Sequence, residues 1–384
     1  MLLAPLFLLS VAAQAPTGPP RWFPESTGGQ AIPAAGAPLA TTLRDFVSTV
    51  KALPLLSPPP GVYPRATLSV ELQPVPQPHK GTVMLGFWPP SSVAVKGGTL
   101  IPTSAIVNLL VYVNIIREEA LAQDKWADGQ GALFPEPKRL GEVQGFPVYQ
   151  GFGGSEVSGI LVVQPQGRAL FAPVAQERFH KFAIAQLEKQ LKDAQPALVR
   201  AQQAYAEAVS PADKARRAAQ LAKSLEDYKN KRPRTPDQLA YREKELAKLD
   251  AEEEERLRVD ATPEGNRLTG YLSKDLADAK RAFAALSPTE RTLPAWHLPD
   301  SRRTGPHPVA PQTPGAVPIV RLAAWANPTL PRTAAQLITV ERYWMSAEAV
   351  RKGLSRTERN LPEHLNKDVI EALDWKAIAQ RLLR

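Results

Sequence analysis

The stretch "FAIAQLEKQLKDAQPALVRAQQAYAEA", residues 182–208, decides how the rest of this chain is read. Ile184, Leu187, Leu191, Ala194, Leu198, Ala201, Tyr205 and Ala208 follow one another in alternating steps of three and four. That beat places all eight on one stripe of a helix, the spacing of a seam built for a partner helix. Pro196 lacks the N–H that an interior turn uses, so a kink or a restart is expected there with the phase kept.

Beyond the seam a hydroxyl residue followed by proline recurs at Ser210-Pro211, Thr235-Pro236, Thr262-Pro263 and Ser287-Pro288. Ser and Thr accept hydrogen bonds from the free amides of a first turn, and proline supplies the φ needed where no N–H is used. Asp213, Gln238 and Glu290 stand at the capping-box position. Each pair is therefore read as a helix start. Apolar stripes run between them: Ala218, Leu221, Leu225 and Tyr228; Leu239, Leu246 and Leu249; Leu268, Leu272, Ala279, Phe283 and Leu286. The intervening residues do not match one another as true repeats do. An antiparallel, coiled-coil-like arm over residues 176–290 is expected.

Before Gln176 the rhythm is different. "ATLSVEL" (66–72) and "GTVMLGF" (81–87) alternate every second residue, the period of a half-buried strand. "AIVNLLVYVNII" (105–116) is crowded with β-branched residues and sorts as a strand, with Val107, Leu109, Val111, Val113 and Ile115 on one face and Asn108, Tyr112 and Asn114 on the other. "FPVYQG" and "GILVV" continue the pattern, and Gln164-Pro165-Gln166-Gly167 has turn chemistry, so residues 160–163 and 168–171 are expected to form a hairpin. After the arm, "QLITVERYW" (336–344) reads as a strand that returns to complete the β domain, followed by a helix over 368–384.

Proline maps the boundaries. Of 39 prolines, 14 fall between Pro16 and Pro78 and nine between Pro294 and Pro331, against five between residues 176 and 286. The organisation expected is α+β. A signal peptide occupies 1–13 and a Pro/Ala-rich linker with a short helix at 42–53 occupies 14–62. A mostly antiparallel β-rich domain (63–175) precedes the inserted helical arm (176–290). A proline-rich extended return (291–335) then leads to a closing strand and C-terminal helix (336–384). The leader rests on "LLAPLFLLSVAA", an apolar run too short to span a bilayer and followed by small residues. Cleavage fits after Ala13, or after Ala15 with Pro16 awkwardly next. The protein is accordingly expected to be exported, periplasmic or extracellular, with no transmembrane segment in the mature chain.

The composition excludes some chemistry. Without cysteine there is no thiol catalysis and no thiolate metal site. A net charge of +9 attracts acidic partners, but Lys229, Lys231, Arg232 and Arg234 are soon followed by Glu252 to Glu255, the mixed pattern of a solvated surface, and no nucleic-acid partner is expected. His297, Asp300 and His307 are the nearest approach to a metal-ligand set, though no His-Glu-x-x-His spacing occurs. Asp124, Asp128, Gly129 and Gln130 offer too few alternating oxygens for a calcium loop and read as a turn. "GFGGSEVSG" (151–159) lacks the nucleophile-elbow and phosphate-loop contexts and reads as a hairpin loop, with Glu156 its only acid or base. Trp88, Trp126, Trp296 and Trp325, with Asn108, Tyr112 and Asn114, are the residues from which a glycan- or peptide-binding groove could be built.

The function expected is an exported, non-enzymatic binding or structural protein that needs no cofactor and associates with a protein partner or a second copy through residues 176–290. An envelope polymer is a further partner of this class. The alternative is a cell-envelope hydrolase with its site in the β-rich domain.

Overall fold

The computed structural model describes residues 16, 18–59, 61–90, 93–96, 99–102, 107–122, 124–153, 156–165, 168–231, 233–299, 305–341 and 365–382. The expected leader lies outside them, as does Asp300. The fold is α+β, and the chain divides into two compact units, residues 1–172 with 320–384 and residues 173–319.

The first unit begins with α1 (Ala37–Lys51), β1 (Tyr63–Glu71) and β2 (Lys80–Trp88), then a small hairpin of β3 (Val93–Lys96) and β4 (Thr99–Pro102). β5 (Val107–Val113), the single turn α2 (Glu118–Leu121), β6 (Trp126–Ala127) and β7 (Ala132–Pro135) follow. β8 (Arg139–Val143), β9 (Phe146–Gly153), β10 (Glu156–Val163) and β11 (Phe171–Pro173) lead to the crossing. The second unit holds α3 (Gln176–Ala208), α4 (Pro211–Asn230), α5 (Pro236–Asp260), α6 (Arg267–Ala285), α7 (Pro288–Thr292), β12 (Trp296–His297) and β13 (Pro308–Val309). The chain crosses back along β14 (Val317–Leu322), and the first unit closes with β15 (Ile338–Glu341), α8 (Leu365–Ala372) and α9 (Trp375–Leu382).

Seven antiparallel strands form the main sheet in the order β1-β2-β5-β15-β10-β9-β8. β15 slots between β5 and β10, pairing Val340 with Val111 on one side and with Leu161 on the other. Alternation then sorts the side chains. Leu68, Val83, Leu85, Phe87, Leu109, Val111, Leu161, Val163 and Val340 join one core with Leu43, Phe46 and Val50 of α1 and Val369, Ile370, Trp375 and Ile378 of α8 and α9. Each such side chain contributes about 1.5–3 kcal/mol of burial. Gly81 permits the close approach of α1, because a Cβ there would stand 3.1 Å from the Leu43 methyls. Ile160, Val162 and Leu337 face the other way, into a smaller cluster with Ala120, Leu121 and Leu170.

Several expectations are corrected here. Residues 14–62 are not merely a linker: α1 starts at Ala37, five residues before the expected helix, and its apolar face is part of the principal core. Phe23 packs against Tyr63 and Trp88, and the Phe23 amide donates to the Pro64 carbonyl at 2.8 Å. The 160–163/168–171 hairpin does not form, since β10 already has β9 and β15 on its two edges while the Leu170 carbonyl accepts from the Ala323 amide. Residues 166 and 167 of its expected turn lie outside the described set. The C-terminal helix is two helices. The Gln144 side chain holds the break, donating to the Leu373 carbonyl and accepting from the Trp375 amide, both at 2.8 Å, and Asp374 caps the second helix at Ala377.

In the second unit α3 runs unbroken through Pro196. Its eight stripe residues are all at least half-buried, but the partners are internal, for α3 packs against α6 and α5. Three of the four helix starts form as read. Ser210 accepts from the Asp213 amide, and Thr235 with Gln238 and Ser287 with Glu290 make full capping boxes. Thr262-Pro263 does not begin a helix: Thr262 turns its hydroxyl back to the Val259 carbonyl, and Asn266 caps α6 by accepting from Leu268 and Thr269. α4 and α5 contain no buried residue, and the expected stripe members Leu249 and Leu268 are 52% and 51% exposed.

Candidate functional site

Asn114 and Tyr112, nominated as groove residues, are committed to the architecture. Asn114 adopts φ 59°, a conformation Asn tolerates better than most residues. From there its Nδ2 donates to the His79 and Ala334 carbonyls at 2.9 and 2.8 Å, and its Oδ1 accepts from the Gln336 amide at 2.8 Å. One buried side chain thus ties the ends of β2 and β5 to the returning chain ahead of β15. Tyr112 lies under Arg117, whose Nη1 donates to the Tyr112 hydroxyl at 3.1 Å and to Glu341 at 3.0 Å, while its Nε reaches Glu119 at 3.2 Å. Burial opposes the Arg117 charge, yet the Tyr112 hydroxyl and the two carboxylates hold it more firmly protonated than a free guanidinium. A backbone amide, against the opposing effect of burial, and then Arg117 lower the Glu119 pKa. This set binds charge in place. Asn108, on the same strand, is half-buried and its Oδ1 has no donor among the described residues.

The tryptophans do not form a common surface within the first unit. Trp88 is core, edge-on to Phe23 at 5.4 Å. Trp126 is half-buried on the two-residue β6. Trp325 lines a shallow groove of about 550 Å3 with Pro76, Pro78 and Pro328, and Asn114 lines it too. Trp296 belongs to the second unit, on β12. The Glu156 side chain is outside the described residues.

In the second unit the structure brings His297 and His307 together, through the backbone. His297 Nδ1 lies 3.0 Å from the His307 amide and 3.3 Å from its carbonyl, so in either tautomer the His307 backbone engages that nitrogen. Among the described residues no group of three His, Cys, Asp or Glu side chains could hold an ion. His180, 6% exposed and stacked on Phe283 at 5.9 Å, borders a cleft of about 210 Å3 with Asp275, Asp278 and His307. Its burial pushes the imidazole pKa down. Asp128 accepts from the Gln130 amide at 2.9 Å, as the turn reading of 124–130 expected.

Sequence reasoning missed a concavity of about 870 Å3 in the first unit, lined by Glu136, Arg139, Tyr149, Gln164, Arg168 and Lys376 among others. These side chains come from the segment before β8, from β8 and β9, from the segment after β10, and from α9, as far apart as 240 positions. Tyr149 stands edge-on to Phe171 at 5.1 Å, and burial raises its hydroxyl pKa, so it remains a neutral donor and acceptor. Gln164 Nε2 donates to the Arg168 carbonyl at 2.6 Å, and Arg168 Nη1 donates to the Trp325 carbonyl at 2.9 Å.

Fold and clefts together define an α+β protein with a sheet-based unit that offers a polar concavity and an inserted helical unit. No family model, curated protein or solved structure matches the chain. Among the described residues no helix is long and apolar enough to cross a membrane.

Proposed function

We propose that this is an exported, non-enzymatic binding or structural protein that associates through its helical unit, a coiled-coil-like arm whose partner is a second copy of the chain. One observation carries the reading. The α3 seam is already covered by α5 and α6, whereas α5 exposes Tyr241 (72%), Leu249 (52%) and Val259 (39%). Tyr241 and Val259 are five helical turns apart and project to the same side, with Leu249 on an adjoining face. Exposed apolar side chains along one helix are what pairing with a second copy would cover.

The alternative, a cell-envelope hydrolase, calls for one carboxyl held protonated beside a second carboxylate. Glu119 and Glu341, which share Arg117 with the nominated Tyr112, are both ion-paired to that guanidinium. That pairing favours the binding reading. Light scattering across a concentration series tests it. The full chain is expected to be larger than a monomer and to dissociate on dilution, with Tyr241→Ser and Leu249→Ser shifting it toward monomer. A strict monomer at every concentration, unaltered by either change, removes the proposal.

A further inference from the structure

The concavity between β8, β9 and α9 has the parts of a ligand site that neither the association reading nor the nominated residues use. Arg139 is neutralised by Glu142 at 2.7 Å, but Arg168 and Lys376 make no ion pair among the described residues. Three cations face two carboxylates, Glu136 and Glu142, so the lining carries an excess positive charge and two of its cations are available to an anion. Gln164 forms part of the wall, its Oε1 buried and without a donor among the described residues and its Nε2 held by the Arg168 carbonyl. Tyr149 and Phe171 add half-buried rings, set at 78° to each other. The volume is in the range of small-ligand sites.

We propose that this concavity binds a carboxylate-bearing carbohydrate. Arg168 and Lys376 meet the carboxylate, the Tyr149 hydroxyl meets a sugar hydroxyl, and the rings of Tyr149 and Phe171 take the apolar C–H faces. An acidic peptide fits less well. The natural mode for a peptide here is strand addition to β8, the edge of the sheet. That edge carries a register shift between Arg139 and Gly141 and a charged pair on its surface, the devices that block strand addition. A ligand recognised through side chains alone is the better match.

Calorimetry on the full chain decides the matter, with trigalacturonate as probe beside its neutral methyl ester, free galacturonic acid and a glutamate oligomer. The trimer is expected to bind, the ester at least about 10-fold more weakly, and binding to fall as salt rises. Arg168→Gln should weaken binding about 10-fold. Because Arg168 also holds the Trp325 carbonyl, Lys376→Gln, on an exposed position of α9, is the second variant and should weaken it several-fold with the thermal midpoint unchanged. A monomer that binds as tightly as the trimer assigns the site to a single sugar acid, and a weaker monomer assigns it to an oligomer; the carboxylated sugar stands in both. No saturable binding to the trimer or monomer, a glutamate oligomer that binds equally or better, or indifference to both substitutions overturns the proposal.

Discussion

In the sheet-based unit Phe87, Leu85, Leu109 and Trp375 are wholly buried, whereas α4 and α5 of the helical unit carry no buried residue between Pro211 and Asp260. The first unit is held mainly by apolar area removed from water. The hairpin of α4 and α5 relies on half-buried contacts such as Leu221 and Leu225, on caps, and on a polar clasp. In that clasp Arg217 donates to Asp250 at 2.8 Å, Glu254 at 2.9 Å and the Ala208 carbonyl at 2.9 Å, joining three helices. Burial is strong and insensitive to salt, and a clasp at the surface is weak and screened. The two regions should therefore answer differently to the same perturbations.

The largest expected effect is Trp375→Ala, which opens a cavity beside Phe46 and frees an indole N–H bond to the Ile370 carbonyl. Denaturant melts should show a loss of about 3–5 kcal/mol. A truncation to alanine in the helical hairpin, Leu225→Ala, should cost about 1 kcal/mol or less; a loss as large as that of Trp375→Ala would erase the contrast. Next is Asn114→Ala, which strands three buried backbone partners and places alanine at positive φ, for a loss of about 3 kcal/mol. Asn114→Gly relieves the φ cost alone and should recover only part of it. Thr235→Ala should cost about 1 kcal/mol, visible as faster hydrogen exchange in the first turn of α5 and not in the sheet.

Arg217→Ala is expected to lower the melting midpoint of the helical unit at low ionic strength, with the difference fading in molar salt. A gap that persisted at high salt would show that the contact acts by packing. The smallest effect is with pH. Because the folded-state pKa of His180 lies below the free value of 6.5, the unfolded chain takes up its proton first. Stability of the helical unit should thus fall as pH drops below about 6.5 and level off once the folded imidazole is also charged. Asp275, Asp278 and His307 share that cleft, so the measurement is the difference from His180→Gln, which should have a shallower slope.

Much of the local structure was legible because it is written within a few positions. The caps at Ser210, Thr235 and Ser287 act on amides three residues away, and the alternation of β2 and β5 marks which face meets the core. The errors share a cause in distance. The expected 160–171 hairpin was outcompeted by β15, more than 170 positions away, and the supposed linker helix is covered by α8 and α9 from the other end of the chain. The structural duty of Asn114 was not legible, because periodicity reports its face and says nothing of the carbonyls waiting at His79 and Ala334. The concavity gave no signal, since Tyr149, Gln164, Arg168 and Lys376 form no motif.

By itself, the order of residues determined three of the four helix starts in the arm, the period each segment follows, and that sheet and helix would be segregated along the chain. These are short-range matters of sterics, capping and alternation. Tertiary structure alone decided that β15 would enter the middle of the sheet, that the α3 seam would find its partners inside its own chain, and that three cations and two half-buried rings would converge on one hollow. Contacts between distant segments are chosen by the total area and hydrogen bonding of the whole, which no local window contains.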